Sequence, residues 1–434
     1  MSLFDARDAP ADQISMDRLA ENGLVYRRVD ISDTEQATAF QRAVVRGFLG
    51  AEPNAEALEF GLAPFEARRN IGVYDAGATA GAAPVASVNS WVTPMTVPGG
   101  AELGMWAISV VTVAATHRRR GIARALLEGE LRAAAAAGVA VAGLTVTEAT
   151  IYGRYGFGAA IPTVQFTVDT RRAGWAGASP GGRLELIERE VLATELAEVH
   201  DRARIARSGQ IQGWQRRWEG QAGLGPADPH RDRVRGVRFL DEEGQTRGVM
   251  SYTLREKGDS FRFELHVRML VAETPDALAA LWRFALQHDL VDEVTADLRP
   301  VDDPLPWLVA DTRAVTQVVH DHGWLRVLDV PVALTARTFA APIDVAIRIE
   351  DSLGFAAGLW RLRVGGEGTA AVEPDASEQP DVTMDVAAFS TLYAGAIRAS
   401  TLHAAGLLDA DAETVLLLDR AFSAYPAPSL DIWY

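Results

Sequence analysis

No cysteine occurs in the 434 residues, which excludes disulfides, thiolate metal sites and a cysteine nucleophile and makes a reducing compartment the natural setting. Lysine is almost missing. Lys257 is the only one, so any Schiff-base chemistry would rest on a single residue in a polar loop. Long apolar runs are lacking too: residues 133–146 are mostly alanine, contain Gly138 and Gly143, and fall short of the roughly 18 apolar residues of a membrane span. Asp5, Arg7 and Asp8 stand where a signal peptide needs its apolar region, so neither export nor stable membrane insertion is expected, and a cytoplasmic protein follows. The eight histidines show no HExxH or paired ligand spacing, so no metal is expected, and no G-x-S-x-G offers a hydrolase nucleophile. Positive charge is scarce: 42 Lys+Arg against 58 Asp+Glu give a net charge of −16, which opposes nucleic-acid binding and attracts cationic small substrates.

Against that acidic background, Arg118, Arg119 and Arg120 form a local exception. Val111, Thr112 and Val113 end an apolar run just before them, and Gly121, Ile122, Ala123 and Arg124 open an alanine-rich helix. A helix N-terminus leaves backbone N–H groups unpaired and carries partial positive charge, so a strand-turn-helix junction rich in arginine is suited to a pyrophosphate. The bland alternative is an exposed arginine cluster at a surface helix. Basic residues are electrostatically disfavoured at a helix N-terminus, however, and three of them call for an anion.

The length fits two or three domains. Residues 25–30 read as a strand, and Ser32 with Glu35 as a capping box for a helix running to Phe48. A helix over 55–69, strands over 71–74, 84–97 and 105–113, a helix over 121–137 stopped by Gly138, and a buried strand over 139–146 complete a first unit. A Gly-, Ala- and Arg-rich connection at 171–182 leads to strands over 237–240, 248–254 and 261–271, a helix from Thr274 and Pro275 to His288, and a strand over 294–298. That order repeats the first unit. Where the arginine loop would fall, this copy has Ala272, Glu273, Thr274, Pro275 and Asp276, with no glycine, no arginine and two acids, so it should not bind a phosphate cofactor. A Pro-rich stretch at 300–307 precedes a third unit with strands over 345–350 and 358–364, an acidic loop over 373–381, and helices near 387–393 and 412–421.

The pattern Arg118-x-x-Gly121-x-Ala123 resembles the pyrophosphate loop of the GNAT superfamily of N-acetyltransferases. The segment Thr147, Glu148, Ala149, Thr150, Ile151, Tyr152, Gly153, Arg154, Tyr155, Gly156, Phe157, Gly158 resembles the signature of its Eis (enhanced intracellular survival) family, with Thr147 for the usual serine and Ala149 for glycine. Residues 327–338 are similar to the lead into that family's sterol-carrier-like domain. The resemblance spans the chain and implies an α+β fold: a catalytic GNAT domain over 1–165, a second GNAT-like domain without a cofactor site over 166–306, and a sterol-carrier-like domain over 307–434.

It also implies an acetyl-CoA-dependent N-acetyltransferase, assembled as a homohexamer, that acetylates amines of small-molecule or peptide acceptors, notably aminoglycosides at more than one position. The backbone of Val111, Thr112 and Val113 would bind the pantetheine arm, the loop from Arg118 through Arg124 the pyrophosphate, and Thr147 and Glu148 would make further cofactor contacts. Tyr152 would be the general acid at the sulfur; the residues alone leave Tyr155 as a rival, and only the resemblance selects Tyr152. A phenol with pKa about 10 stays protonated at neutral pH and can donate to a thiolate. The base would be the C-terminal carboxylate of Tyr434, with Asp431 as another source of negative charge. Trp91, Trp106 and Trp433 could line an acceptor pocket or sit in the core. The competing reading is a lipid-binding or assembly protein with a vestigial acetyltransferase fold.

Overall fold

The computed structural model describes residues 3–79, 81–258, 261–377 and 379–434. Met1 and Ser2 of the charged N-terminal stretch and Glu378 of the acidic loop lie outside the described residues. Two compact units are present, one of residues 1–161, 322–425 and 433–434, the other of 162–321 and 426–432.

The first unit begins α1 (Gln13–Ala20), β1 (Leu24–Arg28), α2 (Thr34–Gly47), α3 (Ala55–Glu66), β2 (Arg69–Asp75), β3 (Ala86–Thr96), β4 (Glu102–Val113), α4 (Ile122–Ala136), β5 (Val141–Thr145) and α5 (Ala149–Tyr152). The expected capping box before α2 is absent. Asp33 caps instead, accepting from the backbone N–H of Glu35 and Gln36, while Ser32 donates to Asp30. Aspartate and serine cap about equally well, but the Ser32 hydroxyl is engaged by Asp30, so Asp33 sets the start. Gly138 ends α4 as expected, at φ 71° with its N–H on the Ala135 carbonyl.

The second unit contains the later part of β6 (Gly158–Asp169), then α6 (Thr170–Ala173), β7 (Arg183–Ile187), α7 (Arg189–Ala203), α8 (Gln215–Gln221), β8 (Val234–Leu240), β9 (Thr246–Glu256), β10 (Phe263–Ala272), α9 (Pro275–Leu286), β11 (Val291–Arg299) and α10 (Leu305–Leu308). Its sheet runs β6-β11-β10-β9-β8-β7. The chain re-enters the first unit within β12 (Val315–Val327) and continues through α11 (Val330–Ala336), β13 (Ile343–Glu350), β14 (Gly358–Val364), β15 (Ala370–Pro374), β16 (Val382–Asp385), α12 (Val386–Tyr393), α13 (Ala399–Ala404), β17 (Leu408–Ala410) and α14 (Ala412–Phe422). The first unit thus holds one sheet ordered β1-β2-β3-β4-β5-β12 and another ordered β15-β14-β13-β16-β17. Among the described residues no helix is long and apolar enough to cross a membrane.

Helix α4 lays Leu126, Leu127, Leu131 and Ala134 into the core beside Ile71, Val73, Val88 and Trp106. The same buried face carries a charge. Glu130 accepts from Arg69 Nη1 at 2.5 Å, Ser90 Oγ at 2.5 Å and Trp106 Nε1 at 3.1 Å, and neither partner of the ion pair is exposed. Arg69 also donates to the Pro10 carbonyl, fastening the N-terminal segment to β2. A carboxylate taken out of water is tolerated only with such partners, and removing one leaves the other charge stranded. Replacing Arg69→Met should therefore lower unfolding stability by about 3–5 kcal/mol in urea titrations. A loss under about 1 kcal/mol would show that Glu130 is neutral or otherwise compensated.

Candidate functional site

The arginine loop joins β4 to α4, and the backbone from the end of β4 through the loop is unusual at three places. Val110, Arg119 and Gly121 all have positive φ, at 50°, 63° and 74°. Glycine takes that region freely, whereas valine and arginine do so at a cost, so their surroundings hold them there. At Val110 the cause is a bulge: Ser87 pairs with Thr112 but Asn89 with Ser109, one residue more on β4 than on β3.

Among the described helices of eight or more residues, α4 alone has neither a capping side chain nor an acid in its first turn. Its N-cap is Gly121, and no side chain caps its first N–H groups. The four arginines are not equivalent. Arg118 and Arg119 are exposed and make no ion pair or side-chain hydrogen bond among the described residues. Arg120 donates to the Asn22 carbonyl at 2.7 Å, and Arg124 pairs with Glu128 one helical turn on, at 2.5 Å. The i, i+4 spacing of that last pair is its signal in the sequence. His117 bonds Asp75 and Thr116, as befits a turn residue, and no cluster of three metal-ligating side chains exists among the described residues.

Next to this loop the sheet opens. Parallel pairing of β4 with β5 runs from Met105 opposite Val141 to Ala107 opposite Gly143 and stops, although β4 continues to Val113. Between the parting strands lies a narrow cleft of about 90 Å³, lined by Val110, Val111, Thr145, Thr147, Tyr152 and Tyr434 with Phe48, Ile108, Ser109, Leu144 and Trp433. Val111, Thr147, Tyr152 and Tyr434, selected far apart in the sequence, therefore face one space. Thr112 is buried on the other side, its hydroxyl 2.7 Å from Ser87 Oγ. Glu148 sits at the N-cap of α5, exposed and one turn before Tyr152. Phe48 was not anticipated; its only sequence signal is an aromatic set between two glycines after an amphipathic helix.

Tyr152 is buried, and burial first, then the nearby Glu148 carboxylate, raise its phenol above the ordinary tyrosine range. Its ring packs edge-on against Phe157. Tyr155 is also raised by burial, but it does not line the cleft. Thr145 Oγ1 lies 2.6 Å from the main-chain oxygen of Tyr434, and Trp91 meets the Tyr434 ring edge-on at 5.4 Å. Trp433 is half exposed at the cleft, its ring edge-on to His322. Trp106, in contrast, is core and bonds Glu130. Asp431 belongs to the second unit, where it is 3.1 Å from His200 Nε2 and its carbonyl accepts from Arg217. No aspartate or glutamate side chain is among the lining residues of the cleft.

The second unit solves the same junction differently. Thr274 caps α9, Pro275 removes one N–H, and Glu273 pairs with Arg202 and Arg247. Beyond the last parallel pair, Val267 with Ala296, the Arg299 guanidinium occupies the parting of β10 and β11, donating to the Leu270 carbonyl at 2.6 Å and to Asp303.

Comparison with known proteins accounts for both units. Residues 25–160 and 209–327 each match an acetyltransferase (GNAT) domain family, and 330–430 match a sterol carrier protein domain family. The chain is 35% identical over 348 residues to an uncharacterized N-acetyltransferase of Streptomyces avermitilis, covering 78% of this chain and 81% of the relative. It is 33% identical over 338 residues to the N-acetyltransferase Eis of Mycobacterium tuberculosis, covering 76% and 81%. The crystal structure of Eis1 from Mycobacterium abscessus superposes with a TM-score of 0.80 at 29% identity, over 95% of this chain and all of that one. The chain belongs to the Eis family of GNAT N-acetyltransferases and is an acyltransferase built of two GNAT domains and a sterol-carrier-like domain.

Proposed function

We propose that this chain moves the acetyl group of acetyl-CoA to an amine of a small-molecule or peptide acceptor, aminoglycosides among them, with residues 1–165 as the catalytic domain, 166–306 as a copy without a cofactor site and 307–434 as the sterol-carrier-like domain. One observation carries the reading: the β4–β5 parting opens beside an uncapped, arginine-flanked helix start and holds Tyr152 and Tyr434 in its lining. Acetyl-CoA fits these residues. Unpaired N–H groups of Ile122 and Ala123, with Arg118 and Arg119 free to turn, suit a pyrophosphate, and the unpartnered edge of β4 at Val111 and Val113 suits a pantetheine amide chain. Arg120 and Arg124 would join by exchanging Asn22 and Glu128 for phosphate oxygen. Thr147 at the cleft and Glu148 beside it complete the cofactor set.

When bound, acetyl-CoA supplies an activated acyl thioester. Tyr152 holds a proton for the departing sulfur, and the carboxylate of Tyr434, steadied by Thr145, takes the proton the amine gives up. Assembly as a homohexamer in the cytoplasm completes the proposal. The match of 330–430 to a sterol carrier family favours a second reading, lipid binding by that domain over a vestigial transferase.

Three experiments follow. Calorimetry should show acetyl-CoA binding that weakens about tenfold or more when Arg118→Ala and Arg119→Ala are combined, since each charged hydrogen bond is worth about 1.5–3 kcal/mol; unchanged affinity would place the pyrophosphate elsewhere. Acetyl-CoA offered with kanamycin, spermidine or a lysine peptide should release free thiol with at least one of them. No release from any, with lipid binding intact, favours the second reading. Finally, a general acid must be protonated, so activity falls as pH rises through its pKa. Burial and Glu148 raise that of Tyr152, so the alkaline limb of kcat should lie above pH 10 (about the free phenol value) and move down in Glu148→Gln. A limb unmoved by Glu148→Gln, or still present in Tyr152→Phe, assigns the acid to another group.

A further inference from the structure

The turn that follows Tyr152 is held from outside the 25–160 segment. Residues 153–155 form one 3-10 turn closed by Gly156 at φ 84°. Arg326 of β12 donates through Nε to the Tyr155 carbonyl at 2.8 Å, and its Nη2 makes two 2.7 Å bonds to the Asp351 carboxylate. Both side chains are shut off from solvent, at 0% and 1% exposure. Asp351 is itself fixed, accepting from the backbone N–H of Leu353 and Ala356. Burial works to raise its carboxyl, but Arg326 and these N–H groups outweigh it and hold the group below the ordinary aspartate range. The fit is tight on the glycine side as well. A Cβ at Gly156 would collide with Arg326 Nε and Val386 Cγ1, and one at Gly158 with the Ala387 carbonyl of α12. Val327, next to Arg326, donates its N–H to Ser390 Oγ on the same helix.

An ion pair this deeply buried is a poor investment for stability alone, because desolvation consumes most of the attraction. What it provides is direction: a planar guanidinium bonded on two edges fixes the carbonyl it touches more narrowly than an apolar contact could. We propose that Arg326 and Asp351 are positioning residues for Tyr152, and that the end of β12, backed by the sterol-carrier-like region that follows it, serves transfer as the brace holding the acid turn against the cleft. This rests on the reading of Tyr152 as general acid. Neither side chain reaches the cleft, so both act through the Tyr155 carbonyl and the turn it closes.

The test is a double-mutant cycle in the full-length chain with acetyl-CoA and whichever acceptor turns over. Asp351→Asn should lower kcat by up to about 100-fold, the cost of a displaced catalytic group, while KM for acetyl-CoA stays within about twofold. Arg326→Lys, which keeps the charge but loses the second edge, should fall in between and guards against a variant that fails to fold. Circular dichroism and a retained cofactor Kd verify folding. Combined with Tyr152→Phe, Asp351→Asn should cost nothing more, because the residue it positions is gone. A full additional loss in the double variant, or wild-type kcat in both folded single variants, overturns the brace. If Tyr152→Phe alone leaves kcat unchanged, the acid assignment fails first and the proposal with it.

Discussion

The structure depends on a pairing that ends early. Two parallel strands in a mixed sheet normally continue until one runs out of residues, because every unmade ladder bond leaves a backbone donor or acceptor to satisfy. Here β4 runs on to Val113 while its pairing with β5 ends at Ala107 and Gly143. The bulge at Val110 turns β4, and Gly143 admits Met105, whose sulfur would otherwise meet a Cβ. The same parting that costs hydrogen bonds creates an edge able to bond a ligand amide, and it points the chain into the turn that starts α4 without a cap. Backbone strain, free N–H groups and arginines thus gather beside one opening, which is what the proposed cofactor site asks of them.

The two GNAT-like units show that this opening can be retained or filled within one fold. In the second, Arg299 lies in the gap, neutralised by Asp303 and bonded to the Leu270 carbonyl, and α9 begins with a threonine cap and a proline. The protein's own side chain performs the hydrogen bonding that a ligand would perform in the first. The chain beyond residues 25–160 contributes through contact instead: Arg326, at the end of the second GNAT match, and Asp351 and α12, within the sterol-carrier match, pack on the turn after Tyr152, so a region named for lipid transport is part of the framework around the cleft.

How much of this could be read beforehand follows from how local each feature is. The loop from Arg118 to Ala123 was legible because strand, turn and helix start are contiguous and glycine marks the left-handed step. Gly138 and β8 to β11 of the second unit were legible for the same reason, whereas β7 was not read and the start of α2 was misplaced because Asp33 and Ser32 compete for one cap. Tyr152 stood out only through the family signature; nothing in its spacing separated it from Tyr155. Arg326 could not be found, since within a hydrophobic strand an arginine reads as a snorkelling edge residue and its partner Asp351 is 25 positions away. The narrow lining without an aspartate or glutamate side chain was equally hidden, because net charge describes the whole surface and says nothing about one cleft.

The central claim is that the β4–β5 parting is the place where the thioester meets its acid. A crystal structure of the chain with acetyl-CoA tests this most directly. The account predicts pyrophosphate oxygens on the N–H groups of Ile122 and Ala123, the pantetheine arm along Val111 and Val113, and the sulfur within hydrogen-bond reach of the Tyr152 hydroxyl. A cofactor seated anywhere else, or a sulfur out of reach of Tyr152, would contradict it.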